Sequence, residues 1–163
     1  MSSNSELINC ELIKDNRIFL ITPSPNERLI KDYIKILKEK SINLVIKATY
    51  DNLYNVSIYN KNNIEYIELQ FDDGSVPTDD IILKLIEIIK QYNSICIHCL
   101  SGLGRAPVLM ALILILQYNY KPIDAVIKIK KKIIYAFNTT QLEFLFNFKK
   151  SKYIKKENKC EIL

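Results

Sequence analysis

A nucleophile, two glycines and an arginine stand together in one stretch, His98-Cys99-Leu100-Ser101-Gly102-Leu103-Gly104-Arg105-Ala106-Pro107. The apolar run Ile95-Cys96-Ile97 leads in, and the strongly apolar run Val108 to Leu116 leads out. A cysteine therefore ends a buried strand, and an arginine opens the helix that follows. This order suits phosphate chemistry. Gly102 and Gly104 permit backbone conformations that turn the amides of Leu100, Ser101, Gly102, Leu103 and Gly104 toward one centre. The helix N-terminus adds its dipole and unpaired N–H groups. Arg105 can grip two phosphate oxygens with its planar fork. The same positive field is expected to lower the Cys99 pKa and hold the attacking thiolate, so the product would be a phosphocysteine. The plainer alternative is a glycine-rich turn over a buried thiol. His98 is the sole histidine. A thiolate needs no base, so His98 reads as a buried, hydrogen-bonded side chain that orders the loop.

Ester cleavage also needs an acid for the leaving oxygen. Phe71-Asp72-Asp73-Gly74 offers two carboxylates and a glycine hinge between a strand and a helix. From composition either Asp72 or Asp73 could serve, and both could instead be plain turn residues.

The Cys99 stretch resembles the Cys-X5-Arg signature of the protein tyrosine phosphatase superfamily. The longer string 102–109, Gly-Leu-Gly-Arg-Ala-Pro-Val-Leu, resembles one branch closely, the phosphatases of regenerating liver, or PRL family. In that family the acid loop reads Trp-Pro-Phe-Asp-Asp-Gly, and its first aspartate is the acid. The resemblance thus implies Asp72 as acid and Asp73 in support, with Leu69-Gln70 in place of Trp-Pro. Ala48-Thr49-Tyr50-Asp51 matches a family stretch expected beside the pocket. Ile46 replaces a family cysteine that can form a reversible disulfide with the nucleophile. Cys99 is therefore expected to lack that partner and to oxidise toward sulfinic acid. A Cys96–Cys99 disulfide in peroxide-treated protein would contradict this. Ala106, where many superfamily members carry a hydroxyl, implies slow turnover and a lasting phosphocysteine. Ala136-Phe137-Asn138 and Gln141 match the segment before the last helix. Gln141 either positions the hydrolytic water or is an ordinary first-turn residue. No metal or organic cofactor is implied. A rhodanese or an arsenate reductase also shares Cys-X5-Arg, but neither needs the His-Cys prefix together with the Asp-Asp-Gly loop.

The elements that must position these residues follow from periodicity. Leu7 to Lys14 and Arg17 to Thr22 read as strands joined by an Asp15-Asn16 turn. Pro23 to Asn26 precedes a helix to about Lys40, with apolar residues on a helical period. Asn43 to Thr49 is a buried strand. Tyr54 to Tyr59 is open between a short helix and a loop. Ile64 to Phe71 alternates as a strand. Thr78 or Asp79 caps a helix to about Tyr92. Ile95 to His98 is the central strand, and Arg105 to Tyr118 is a helix apolar nearly all round, hence buried. Pro122 opens a helix to about Lys132. Thr139 or Thr140 caps the last, from Gln141 to about Lys152. The expected fold class is α/β: a mixed, mostly parallel sheet of about five strands with helices on both faces, and the family resemblance implies that it is arranged as in a dual-specificity phosphatase.

The 163 residues, 48% apolar and 25% charged, fit one globular domain. That domain is expected over 1–152, with 1–6 a disordered arm and 153–163 a basic tail. The four cysteines, 10, 96, 99 and 160, show no metal-ligand spacing and point to a reducing compartment. Net charge is +5, and residues 149–163 hold six lysines against two glutamates. The tail is thus a clue to an anionic membrane surface. Cys160-Glu161-Ile162-Leu163 resembles a prenylation box, which a neighbouring basic segment would reinforce. PRL proteins are likewise prenylated. Lys128 and Lys130 to Lys132 form a second basic run, either a solvated helix face or a surface for acidic lipid or phosphopeptide. The expectation is an enzyme on the cytoplasmic face of membranes, with a cytosolic pool and no nucleic-acid partner. It acts on a phosphoprotein or a phosphoinositide. The rival is a binding module for a cyclin-M type magnesium transporter, a partner the resemblance implies together with homo-oligomers.

Overall fold

The computed structural model describes residues 7–154. The expected arm (1–6) and Cys160 with its neighbours lie outside the described residues. Strand alternation decides the layers. β1 (Cys10–Lys14) and β2 (Arg17–Pro23) form an antiparallel hairpin in which Lys14 pairs with Arg17. Its turn is Asp15-Asn16, both with positive φ, as a two-residue hairpin requires. β3 (Leu44–Lys47), β4 (Glu65–Glu68) and β5 (Ile95–Cys99) complete a sheet of order β1-β2-β5-β3-β4. All pairs but the first are parallel. β5 is central, so its C-terminal end, at Cys99, is flanked on both sides.

Phe19, Ile21, Leu44, Ile46, Ile95, Ile97 and Cys99 point to one face of the sheet. There they meet α3 (Asp79–Gln91), α4 (Arg105–Tyr118), α5 (Pro122–Lys130) and α6 (Thr139–Phe146). Leu20, Val45 and Cys96 point to the other face, under α1 (Ile30–Glu39) and α2 (Ser57–Lys61). α4 is buried from Arg105 to Leu116, as its unbroken apolar character requires. The expected α/β class and five-stranded mixed sheet are therefore observed. Among the described residues no helix is long and apolar enough to cross a membrane.

Several boundaries differ from expectation. β4 stops at Glu68: Leu69 N–H makes a last bond to Lys47 O, and the chain beyond it turns away with Leu69 and Phe71 in the core. Thr78, rather than Asp79, caps α3 by accepting from the Ile81 N–H. The open stretch at Tyr54 resolves into a loop followed by the short α2. Asn138, not a threonine, caps α6, and α6 ends at Phe146, six residues early. Asn138 wins because it forms a reciprocal capping box: Gln141 N–H donates to its Oδ1 at 2.8 Å, and its own N–H donates to Gln141 Oε1 at 3.1 Å.

Candidate active site

The site grows from the end of β5. Cys99 is fully buried there, opposite Pro23 of β2. The chain then turns tightly into α4, with Gly102 at φ 74° and Gly104 at φ 81°. Both glycines are needed. A Cβ on Gly102 would collide with Asn9 and the Thr22 main chain, and one on Gly104 would press on Gln141. Neighbours lock the loop. Asn9 Nδ2 donates to Ser101 O, Ser24 N–H to Leu100 O, and Gly104 N–H to Ala136 O at 2.8 Å, so the Gly104 amide, expected to face the phosphate, turns away from it because the loop is pinned to Ala136. Leu100 and Leu103 turn outward and are exposed.

The electrostatics at Cys99 correct one expectation. The N–H groups of Ala106 and Gly102 and the Arg105 guanidinium do pull the thiol pKa down, yet burial outweighs them and the net direction is up. Asp73 pushes the same way as burial. The thiol donates to Leu103 O at 3.3 Å. The thiolate is nonetheless the form that these N–H groups favour, since each pulls the thiol pKa down.

Arg105, in the first turn of α4, is nearly buried. Its Nη1 donates to Phe71 O at 3.4 Å, and its Nε lies 3.6 Å from Asp73 Oδ1. The acid loop thus rests on the arginine. Asp72 shows no such contact, and its exposed carboxylate is carried on a turn whose carbonyl accepts from Ser75 N–H and Oγ. Leu69-Gln70 does not leave the loop unanchored. Leu69 fills the core, and Gln70 Nε2 donates to Thr49 O at 3.0 Å. Thr49, in the stretch from Ala48 to Asp51, therefore braces the acid loop.

Gln141 links three parts. It is fully buried, caps α6 with Asn138, and donates from Nε2 to Ser75 O at 3.1 Å. Asn138 Nδ2 donates to Gly74 O at 2.9 Å. A pocket of about 310 Å³ opens here, lined by Asp73, Ser101, Leu103, Gly104, Tyr135 and Gln141 among others. Gln141 therefore caps the first turn of α6 and ties it to the loop at Ser75. Ala106 is fully buried directly behind the loop.

His98 sits on the opposite face of β5 and is fully buried. Sequence reasoning missed its partners. Tyr59 OH donates to Tyr54 OH at 2.8 Å, and Tyr54 OH and His98 Nε2 share a hydrogen bond of 2.7 Å, so one chain of polar groups ties α2 to the histidine. On the same face, Cys96 Sγ meets Tyr33 OH at 3.1 Å, and Tyr33 OH meets Thr22 at 2.8 Å. The only advance signal was an abundance of tyrosine, ten in all. Cys96 and Cys99 face opposite sides of the sheet. This supports the expectation that they form no disulfide, and Ile46 fills its place in the core.

Burial, reinforced by the charge of Lys47, pushes the His98 pKa down to about 4, against a smaller opposing contribution from the Cys99 main chain. The unfolded chain binds a proton near pH 6.5 that the native state refuses. The contribution to stability is complete above that value and is lost as pH falls toward 4, a drop of roughly 3 kcal/mol. Urea midpoints measured across this window should fall more steeply for the parent than for His98→Asn. Parallel slopes would show that His98 does not set the acid sensitivity.

The family model described as "Polymorphic toxin system, DSP-PTPase phosphatase" matches residues 23–119. The PRL-1 phosphatase of Drosophila melanogaster is 36% identical, over 86% of this chain and 82% of its own. Protein tyrosine phosphatase type IVA 2 of Mus musculus is 32% identical, over 85% and 86%. The solved structure of a putative protein tyrosine phosphatase from Leishmania major superposes with a TM-score of 0.74 at 27% identity, over 82% of this chain and 88% of that one. With the cysteine loop, the buried arginine and the acid loop already in place, these matches settle the lineage: the chain belongs to the DSP-PTPase phosphatases and, among them, to the PRL, or type IVA, protein tyrosine phosphatases.

Proposed function

We propose that this chain hydrolyses phosphate monoesters through a phosphocysteine on Cys99. The observation that carries the reading is the loop itself. Cys99 ends β5 at the foot of α4, the main-chain N–H groups of Gly102 and Ala106 draw its pKa down, and Arg105 stands at the loop's far end against the acid loop. Sγ attacks phosphorus, and the S–P bond forms as the ester P–O bond breaks. Asp72 gives its proton to the leaving oxygen. Water then attacks phosphorus, the thiolate leaves, and Asp72 recovers a proton from the water that Gln141 positions. Arg105 and the amides of Gly102 and Ala106 hold the charge that spreads over the phosphoryl oxygens. Ala106 offers no hydroxyl to the departing thiolate, so the second step is slow. The substrate is a phosphotyrosine protein or a phosphoinositide, and a prenyl group on Cys160 beside the lysine tail anchors the enzyme at the cytoplasmic face of membranes. A rapid-quench assay on a fluorogenic aryl phosphate tests this. The expected trace is a burst stoichiometric with enzyme, then slow turnover, with one phosphoryl group on the Cys99 peptide. Linear release without a labelled peptide would overturn the stalled intermediate.

Asp72 and Asp73 are separable by leaving group. Asp72→Ala should lower kcat by roughly 10²- to 10⁴-fold on a poor alkyl leaving group and much less on an activated aryl phosphate. Asp73→Asn should act differently. It removes a negative charge that raises the Cys99 pKa, so the acidic limb of kcat/KM should move to lower pH. The opposite pattern for the two variants would assign the acid to Asp73.

Outward-facing Leu100 and Leu103 favour a second reading, a binding module for a partner of the cyclin-M type. Capture of that partner by Cys99→Asp at parental strength, with no burst in the parent, would establish it.

A further inference from the structure

α5 buries one face and leaves another bare. Ala125, Val126 and Ile129 enter the core. Ile123 and Ile127, one turn apart, remain 47% and 46% exposed. In the turn after the helix Ile134 (71%) and Tyr135 (81%) are exposed as well. Lys130, Lys131 and Lys132 are exposed beside it. None of the three forms an ion pair among the described residues. The one acid of α5, Asp124, lies in its first turn. At helical spacing Ile123, Ile127, Lys130 and Lys131 fall within an arc of about 100°.

Single exposed isoleucines are ordinary. A stripe of them edged by unpaired lysines is not, because water rewards only the lysines. The boundary of an anionic bilayer satisfies both: isoleucine at the acyl edge, and lysine stems reaching back to the headgroups. Tyr135, next to Ile134 in the chain and itself exposed, also lines the pocket with Leu103. We infer that Ile123, Ile127 and Ile134, with Lys130 to Lys132, form a membrane-contact face of the folded domain that sets the pocket mouth against anionic headgroups. This face acts apart from the prenyl anchor and from catalysis.

The test uses the full chain carrying Cys160→Ser, so that no lipid is attached, with vesicles of phosphatidylserine and phosphatidylcholine or of phosphatidylcholine alone. Cosedimentation should require the anionic lipid. Ile127→Ser/Ile134→Ser should weaken it about tenfold. Lys130→Gln/Lys131→Gln/Lys132→Gln should weaken it at least about tenfold. Circular dichroism and melting temperature establish that each variant is folded. The chain has no tryptophan, so Ile134→Trp reports its own environment, and its emission should shift to the blue on the vesicles. Parental binding by both body variants would place all affinity in the tail and overturn the proposal. So would an unshifted Ile134→Trp emission on bound vesicles, or equal binding to soluble polyglutamate without a shift, which marks a charge patch only.

Discussion

Cys99→Ser is expected to reduce hydrolysis of an aryl phosphate by on the order of 10⁴ or more, the scale lost when a covalent nucleophile is removed. The loop can lower the barrier to ionising a thiol, but a serine hydroxyl lies far beyond its reach. The substitution should spare everything else. A serine hydroxyl can donate to Leu103 O as the thiol does, and it is smaller than the sulfur it replaces. Arg105 and the loop amides stay in place, so Cys99→Ser should still bind tungstate with near-parental affinity. Loss of both turnover and tungstate binding would mean that the loop had collapsed. Activity above background in purified Cys99→Ser would move the nucleophile elsewhere.

Arg105→Lys should lower kcat by roughly 10²- to 10³-fold, the scale of one lost transition-state donor in an enclosed site. Lysine keeps the charge but lacks the planar fork. In this chain the guanidinium has a second task, because it holds the acid loop through Phe71 O while its Nε lies beside Asp73. A lysine cannot do both. Stability should fall as well, by about 1–3 kcal/mol for the acceptor left unpaired. Steady-state kinetics and a urea melt on the same preparation separate the two effects. A drop in kcat of less than about threefold would show that the amides alone hold the transferring phosphoryl group.

The contrast between the two faces of β5 shows what was legible beforehand. The cysteine loop and its helix are local: one strand, one tight turn and one apolar run, each specified by neighbours in sequence. Their positions follow from periodicity and from two glycines that admit positive φ. The buried α4 and the five-stranded sheet follow the same way, because apolar period and length leave few alternatives.

What the chain order could not show is which distant groups meet. Tyr54 and Tyr59 lie more than thirty-five residues before His98, in a stretch with no clear period, and only the tertiary fold brings the loop at Tyr54 and α2 against the histidine. The grip of Arg105 on the acid loop and the bracing of Gln70 by Thr49 are likewise long-range. So is the burial that raises Cys99 against its own loop. The sequence by itself determined the reactive groups and their local geometry, since spacing and backbone permission act over a few residues. The tertiary structure decided their protonation and support, because burial and hydrogen-bond partnership exist only once remote segments pack.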